Sequence, residues 1–256
     1  MKRLILSTLV GAALTLLVAA VALAKPEVVR VGNLVLRDNG GISPTRLPRH
    51  RQAPVAAILK ATIRTADDSH LPAVREVVLD VDRIIHINAR GLPVCKARQL
   101  EARDTKAARR ICGRAIVGRG AGSVEIAFPE QKPIMVSSPL TMFNGGVRGG
   151  TTTLFVHAFI TVPVPAAIVI PIKITSIHRG RYGLHTISKI PPIAGGSGSV
   201  SRFKLKIDRK FAYRGKKASY LTASCPTGHY FTKGHVLFDD GTRLDIVHVL
   251  PCTPSR

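Results

Sequence analysis

Arg202-Phe203-Lys204-Leu205-Lys206-Ile207 alternates polar and apolar residues without a break. Successive side chains of a β-strand point to opposite faces. The pattern therefore describes a strand with one face in water and the other in a core. Continued through 201–213, the strand places Arg202, Lys204, Lys206 and Lys210 on one face, with Asp208 between the last two. Phe203, Leu205, Ile207 and Phe211 fill most of the other face, interrupted by Arg209. The cations would stand about 7 Å apart along the strand, and Arg214, Lys216 and Lys217 would extend the row into the next turn. These seven basic residues are the candidate polyanion-binding set. The competing reading is the solvated outer face of a sandwich, whose charges discourage edge-to-edge pairing.

The same two-residue period recurs on both sides of this stretch. Val77, Leu79 and Val81 alternate with Asp80 and Asp82, and Val124, Ile126 and Phe128 alternate as cleanly. Segments 134–143 and 151–162 flank Asn144-Gly145-Gly146-Val147-Arg148-Gly149-Gly150, read as a hairpin with a long tip. Segments 166–177 and 184–190 flank a second glycine-containing turn, and Arg214-Gly215-Lys216 and Asp240-Gly241 supply turns near the C-terminus. Residues 43–51 read as a polar, basic connector. Gly118-Arg119-Gly120-Ala121-Gly122 reads as a turn rather than a phosphate loop, because a strand follows it instead of a helix. The expected fold is mostly β: an antiparallel, β-sandwich-like domain of about a dozen strands. Pro129 to Pro133 is the one place where the chain could divide; without a long linker there, we expect 25–256 to be a single domain.

One short helix is expected, between Cys95 and Cys112. Residues 96–112 lack Gly and Pro and are rich in Ala, Arg and Lys. Asp104 or Thr105 can cap a helix ending near Gly113. The four cysteines, Cys95, Cys112, Cys225 and Cys252, allow three pairings. Nearest-neighbour pairing, Cys95–Cys112 and Cys225–Cys252, is the expected one, each bond contributing about 3–4 kcal/mol in the chain-entropy model. The cysteines lack the close paired spacing of a structural zinc site.

That reading of the cysteines depends on compartment. Met1-Lys2-Arg3 precedes an uncharged run from Leu4 to Ala24 that ends in Ala22-Leu23-Ala24. A positive start, an apolar stretch and a small-x-small end describe a secretory signal peptide over 1–24. The alternative is an uncleaved anchor, since the run is long enough to span a bilayer. Either way the remainder is expected outside the cytoplasm, secreted or associated with the cell envelope, touching a membrane only through an uncleaved N-terminal segment. Removing Lys2 and Arg3 lowers the formal net charge from +23 to +21. Such a chain favours polyanions, and outside the cell the fitting partners are anionic cell-wall polymers or lipid head groups. Nucleic acid is not the expected physiological partner: the chain has no Trp and only 4 Tyr for base stacking.

Further residues carry a resemblance. Gly91-Leu92-Pro93-Val94-Cys95, Cys112, Phe143-Asn144-Gly145, Tyr220-Leu221, Ala223-Ser224-Cys225-Pro226, Asp240-Gly241 and Cys252 occur in that order. The set resembles a family of uncharacterised exported actinobacterial proteins and covers most of the chain after the leader. The resemblance implies export and disulfides; it implies no activity, ligand or catalytic residue.

Catalytic constellations are weak. His157 lies in a strand apolar on both faces, and His248 shares a face with Leu244, Ile246 and Leu250, so both read as core histidines. His248 could orient a base with Asp245 or Asp240, but Gly195-Gly196-Ser197-Gly198-Ser199 is no nucleophile elbow. His229 and His235 with Asp239 and Asp240 match no strong metal motif. A second basic cluster, Lys96, Arg98, Arg103, Lys106, Arg109 and Arg110, belongs to the helix and reads mainly as its wet side. No cofactor or metal is expected. The leading expectation is a non-enzymatic structural or binding protein of the cell envelope; the alternative is a secreted hydrolase built on His157 or His248.

Overall fold

In the computed structural model, which describes residues 27–255, the chain forms a nearly closed barrel from one antiparallel sheet of 12 strands. The expected signal peptide, 1–24, lies outside the described residues. β1 (Glu27–Val31) and β2 (Leu34–Ser43) make the first hairpin. After β3 (Arg46–Pro48) and β4 (Ala53–Pro54) come the long strands β5 (Ala56–Thr65) and β6 (Val74–Asp82), then the short β7 (Ile85–Ile87). The helix α1 (Thr105–Cys112) precedes a meander of β8 (Ile116–Phe128), β9 (Gln131–Arg148), β10 (Thr151–Ile160), β11 (Ala166–Arg179) and β12 (Tyr182–Lys189). β13 (Gly198–Ile207), the hairpin of β14 (Lys210–Tyr213) with β15 (Lys216–Ser219), β16 (Leu221–Ala223), β17 (His229–Phe238), β18 (Arg243–Pro251) and β19 (Thr253–Ser255) complete the chain.

The sheet order is β1-β2-β5-β13-β8-β9-β10-β11-β12-β6-β17-β18. Its two end strands, β18 and β1, face each other across a seam without a backbone ladder between them. Binary pattern explains the curl. In β18, Leu244, Ile246, His248 and Leu250 are buried while Arg243, Asp245, Val247 and Val249 are exposed, so one face of the sheet must enclose a core. Two apolar clusters fill it. One gathers Val117, Met142, Leu154, Val156 and Leu205 with Leu47, Val55 and Tyr220. The other gathers Leu34, Leu36, Ile63, Leu71, Phe238 and Leu244. The first is completed by the small sheet β4-β16-β7 and by the Cys225–Cys252 disulfide.

The chain around the helix covers the outer face of β9 and β10. Leu100, Ala108 and Cys112 pack on Ile116 and Phe143, with Phe155 against them. This cover explains why β10 is apolar on both faces: Leu154 and Val156 point into the barrel, Phe155 and His157 into the cover. Asp104 caps α1, accepting from the Ala107 N–H at 2.7 Å, and Cys95–Cys112 ties the cover down. The helix occupies only the second half of 96–112; Ala102 at φ +55° separates it from a preceding 3₁₀ turn.

Four local expectations are corrected. Residues 118–122 are strand, not turn: a Cβ on Gly120 would stand 1.9 Å from the Lys204 carbonyl oxygen, so glycine permits β8 and β13 to approach closely. The hairpin tip after Asn144 shrinks to Gly149-Gly150, both at positive φ, the requirement of a two-residue type I′ turn. Asn144 is buried and donates to the Pro93 carbonyl at 3.0 Å. The strand expected over 201–213 ends at Ile207. Continuing the alternation would drive Arg209 into the core; the chain leaves the sheet instead, and Arg209 reaches the Arg114 carbonyl. The connector 43–51 is not wholly polar in role, since Leu47 is fully buried.

Candidate functional site

The strand register assembles a basic face that no single segment contains. On the outer side of the sheet, Arg37, Thr62 and Arg202 form one rung across β2, β5 and β13. Asn39, Lys60 and Lys204 form the next. Lys206 stands opposite Arg119 of β8 on the third. Among the described residues, Arg37, Lys60, Arg202 and Lys204 have no carboxylate within ion-pair distance. Lys60 and Lys204 are therefore like charges directly opposite one another, a pairing that destabilises a sheet. Their side chains and those of Arg37, Asn39, Thr62 and Arg202 line a shallow groove of about 360 Å³.

Of the seven basic residues singled out in the sequence, the structure brings Arg202, Lys204 and Lys206 onto this face. Lys206 is engaged by Asp208 at 2.9 Å. Lys210, Arg214, Lys216 and Lys217 do not extend the row; they belong to the separate β14–β15 hairpin and its turn. Arg37 and Lys60 went unnoticed in the sequence because each is one cation in its own strand. Only pairing with β13 gives them company. In the helix cluster, Arg109 is occupied, donating to Thr141 Oγ1 at 2.9 Å.

The histidines separate into distinct roles. His157 is fully buried, with Nε2 donating to the Arg103 carbonyl at 2.9 Å and its ring edge-on to Phe143. Burial depresses its pKa below the usual imidazole value, which holds the ring neutral. No hydroxyl among the described residues bonds to it. His248 meets neither Asp245 nor Asp240. Asp245 points outward and pairs with Arg243. The neighbours of His248 come from across the seam: Asp38 Oδ1 at 2.7 Å and Glu27 Oε2 at 3.3 Å. The Asp38 carboxylate raises the His248 pKa above the ordinary value, with burial opposing it, while burial raises that of Glu27. This trio was missed because its members lie in three strands far apart in sequence. His229 and His235 do not converge with Asp239 and Asp240: His229 faces Pro251 at one end of β17, whereas Asp239 follows its other end.

A second concavity, of about 590 Å³, lies between β7 and the β11–β12 hairpin. His86 and His178 are among its lining residues, with Ile85, Ile87, Ile177 and Tyr182. His86 is engaged with the Arg83 carbonyl at 3.0 Å. All four cysteines are in the expected disulfides, Cys95–Cys112 and Cys225–Cys252, so no thiol is free. No protein-family model, curated protein or solved structure matches the chain.

Proposed function

We propose that this chain is an exported, non-enzymatic binding protein whose basic outer face on β2, β5 and β13 holds a linear anionic polymer of the cell envelope. The observation that carries the reading is the directly opposed, unpaired Lys60 and Lys204 at the centre of that face. A sheet selected for stability alone would place opposite charges there. A ligand that supplies the missing negative charge turns an unfavourable pair into a favourable clamp, flanked by Arg37 and Arg202 with their fork-like donors. The shallow groove suits an extended chain crossing the strands rather than an enclosed small molecule. A polymer is preferred to a lipid surface because, among the described residues, no aromatic side chain is one of the exposed large hydrophobics that would anchor a membrane interface.

Export rests on three supports: the N-terminal pattern, the two disulfides, which fit an oxidising compartment, and the resemblance to exported actinobacterial proteins. The test is retention of the disulfide-bonded protein on immobilised phosphodiester wall polymer, anionic vesicles and duplex DNA along a salt gradient. The expected result is strongest retention on the wall polymer, released as salt rises. Absence of retention on the polymer at low salt rejects the reading; stronger retention on vesicles transfers the face to a membrane.

A further inference from the structure

Glu27, Asp38 and His248 converge where the barrel lacks a ladder, between the two apolar clusters. The three ligand-capable atoms lie within 4.8 Å of one another, the one such grouping of His, Cys, Asp and Glu among the described residues. His248 is only 8% exposed. Its Nε2 and the Asp38 Oδ1 are both shut off from solvent, and neither has an aligned hydrogen-bond partner despite their 2.7 Å separation. In the absence of an ion the two groups make a direct contact of ion-pair length, and the same two atoms, with Glu27 beside them, are the ones a bound cation would take up. Ligand atoms sharing a metal at about 2.1 Å sit about 3.0–3.4 Å apart. The His248–Glu27 distance of 3.3 Å falls in that range, whereas His248 and Asp38 at 2.7 Å are in direct contact, so the Asp38 carboxylate must withdraw by about half an ångström to admit the ion.

Charge points the same way. Without an ion the raised pKa of His248 lets the imidazolium offset part of the carboxylate charge; metal binding takes the imidazole neutral, which leaves the pocket doubly negative with no Arg or Lys partner for either carboxylate among the described residues. A divalent cation balances that charge. One imidazole nitrogen with two carboxylate oxygens is a borderline donor set suited to zinc or a neighbouring first-row ion rather than to calcium or magnesium.

We propose that Glu27, Asp38 and His248 bind a divalent transition-metal ion, zinc by preference, which ties β18 to β1 and β2 across the seam. Glu27 is the outermost ligand, its side chain 35% exposed, so the ion enters from that side and keeps water in its remaining position. The site is independent of the basic face: its ligands point inward, and the proposal survives if polymer binding fails.

The test uses the full disulfide-bonded protein, stripped with chelator, dialysed against zinc chloride and analysed for metal. About one equivalent per chain is expected, with a zinc-dependent rise in the melting temperature. His248→Gln and Asp38→Asn should lose the bound zinc, whereas His86→Gln, which removes an exposed histidine elsewhere, should keep it. Should either seam variant fail to fold, Glu27→Gln at the rim should still weaken zinc at least about tenfold. Cobalt supplies an independent readout, since a bound N/O site gives visible absorption that zinc abolishes by competition. No zinc on the wild-type protein, or equal zinc on wild-type and all seam variants, overturns the proposal.

Discussion

Lys204→Glu separates stability from binding at one position. It replaces a like-charge pair with an opposite-charge pair opposite Lys60, while the other neighbour, Ala121, is indifferent to charge. Cross-strand charge pairs are worth about 0.2–1 kcal/mol either way. Removing the repulsion and adding attraction at this solvent-facing site should therefore stabilise the sheet by about 0.5–1 kcal/mol, a rise of about 1–4 °C in melting temperature. Binding should move in the opposite direction. If Arg37, Lys60, Arg202 and Lys204 each neutralise one polymer phosphate at about 0.7 released counterions, log affinity against log salt has a slope of about −3. The new carboxylate removes one contact and occupies Lys60, so the slope should fall to about −1.5. Fluorescence polarisation with a short labelled phosphodiester polymer over a salt series measures the slope; a thermal melt measures the stability. A variant that melts below wild type defeats the like-charge argument, and an unchanged slope removes the polymer from this face.

Three other outcomes follow from the packing. Gly120→Ala should cost about 3 kcal/mol in urea unfolding, the upper end of overpacking penalties, because its Cβ meets a carbonyl of β13 and not a movable side chain; a cost below 1 kcal/mol, roughly, would mean that β8 and β13 separate easily. Replacing both cysteines of a pair by serine should cost about 3 kcal/mol for the 17-residue separation of Cys95–Cys112 and about 3.5 kcal/mol for the 27-residue separation of Cys225–Cys252. Equilibrium unfolding checks both, and a negligible loss at either pair contradicts the chain-entropy account. His157 should make acid destabilising. Its folded pKa is depressed, so the contribution is intact above the unfolded imidazole value of about 6.5 and is lost as pH falls from there towards the folded value, at up to about 1.4 kcal/mol per pH unit. A His157→Gln variant compared with wild type across that window should have a flatter pH dependence of stability; identical profiles would refute the neutral buried ring.

Much of the architecture was legible because it rests on local alternation. Arg202 to Ile207, Val77 to Val81 and Val124 to Phe128 each announce a strand, and each lies in a strand of the large sheet; the wet and dry faces separate cleanly only in the first, and Asp82, expected on a polar face, is buried and accepts from the Ile84 and Phe231 N–H groups. The Asp104 cap and the two cysteine pairs were equally local, one fixed by its helix N-terminus and the others favoured by short loops. The errors share a cause. Glycines read as turn residues when considered alone, yet Gly120 is demanded by a strand that lies more than 80 positions later in the chain. Arg209 broke the predicted strand because the core it would have entered is built by other segments.

The candidate sites were legible only in part for the same reason. Arg202, Lys204 and Lys206 were evident as a row, but their extension ran the wrong way: along the chain to Lys210, Arg214, Lys216 and Lys217, instead of sideways to Lys60 and Arg37. His248 looked like an ordinary core histidine, and nothing along the chain joins it to Asp38 or Glu27, more than 200 positions earlier.

By itself, then, the sequence determined the character of most segments: strand or helix, the wet side of the clearest strands, which cysteines are near enough to pair, and an excess of positive charge. Those properties follow from side-chain period and short-range chain statistics. Tertiary structure alone decided which strands became neighbours, and with that the opposed lysines and the carboxylates around His248. Hydrogen-bond register between distant strands is set by closing the whole sheet around its core, so a site assembled across that register has no signature along the chain.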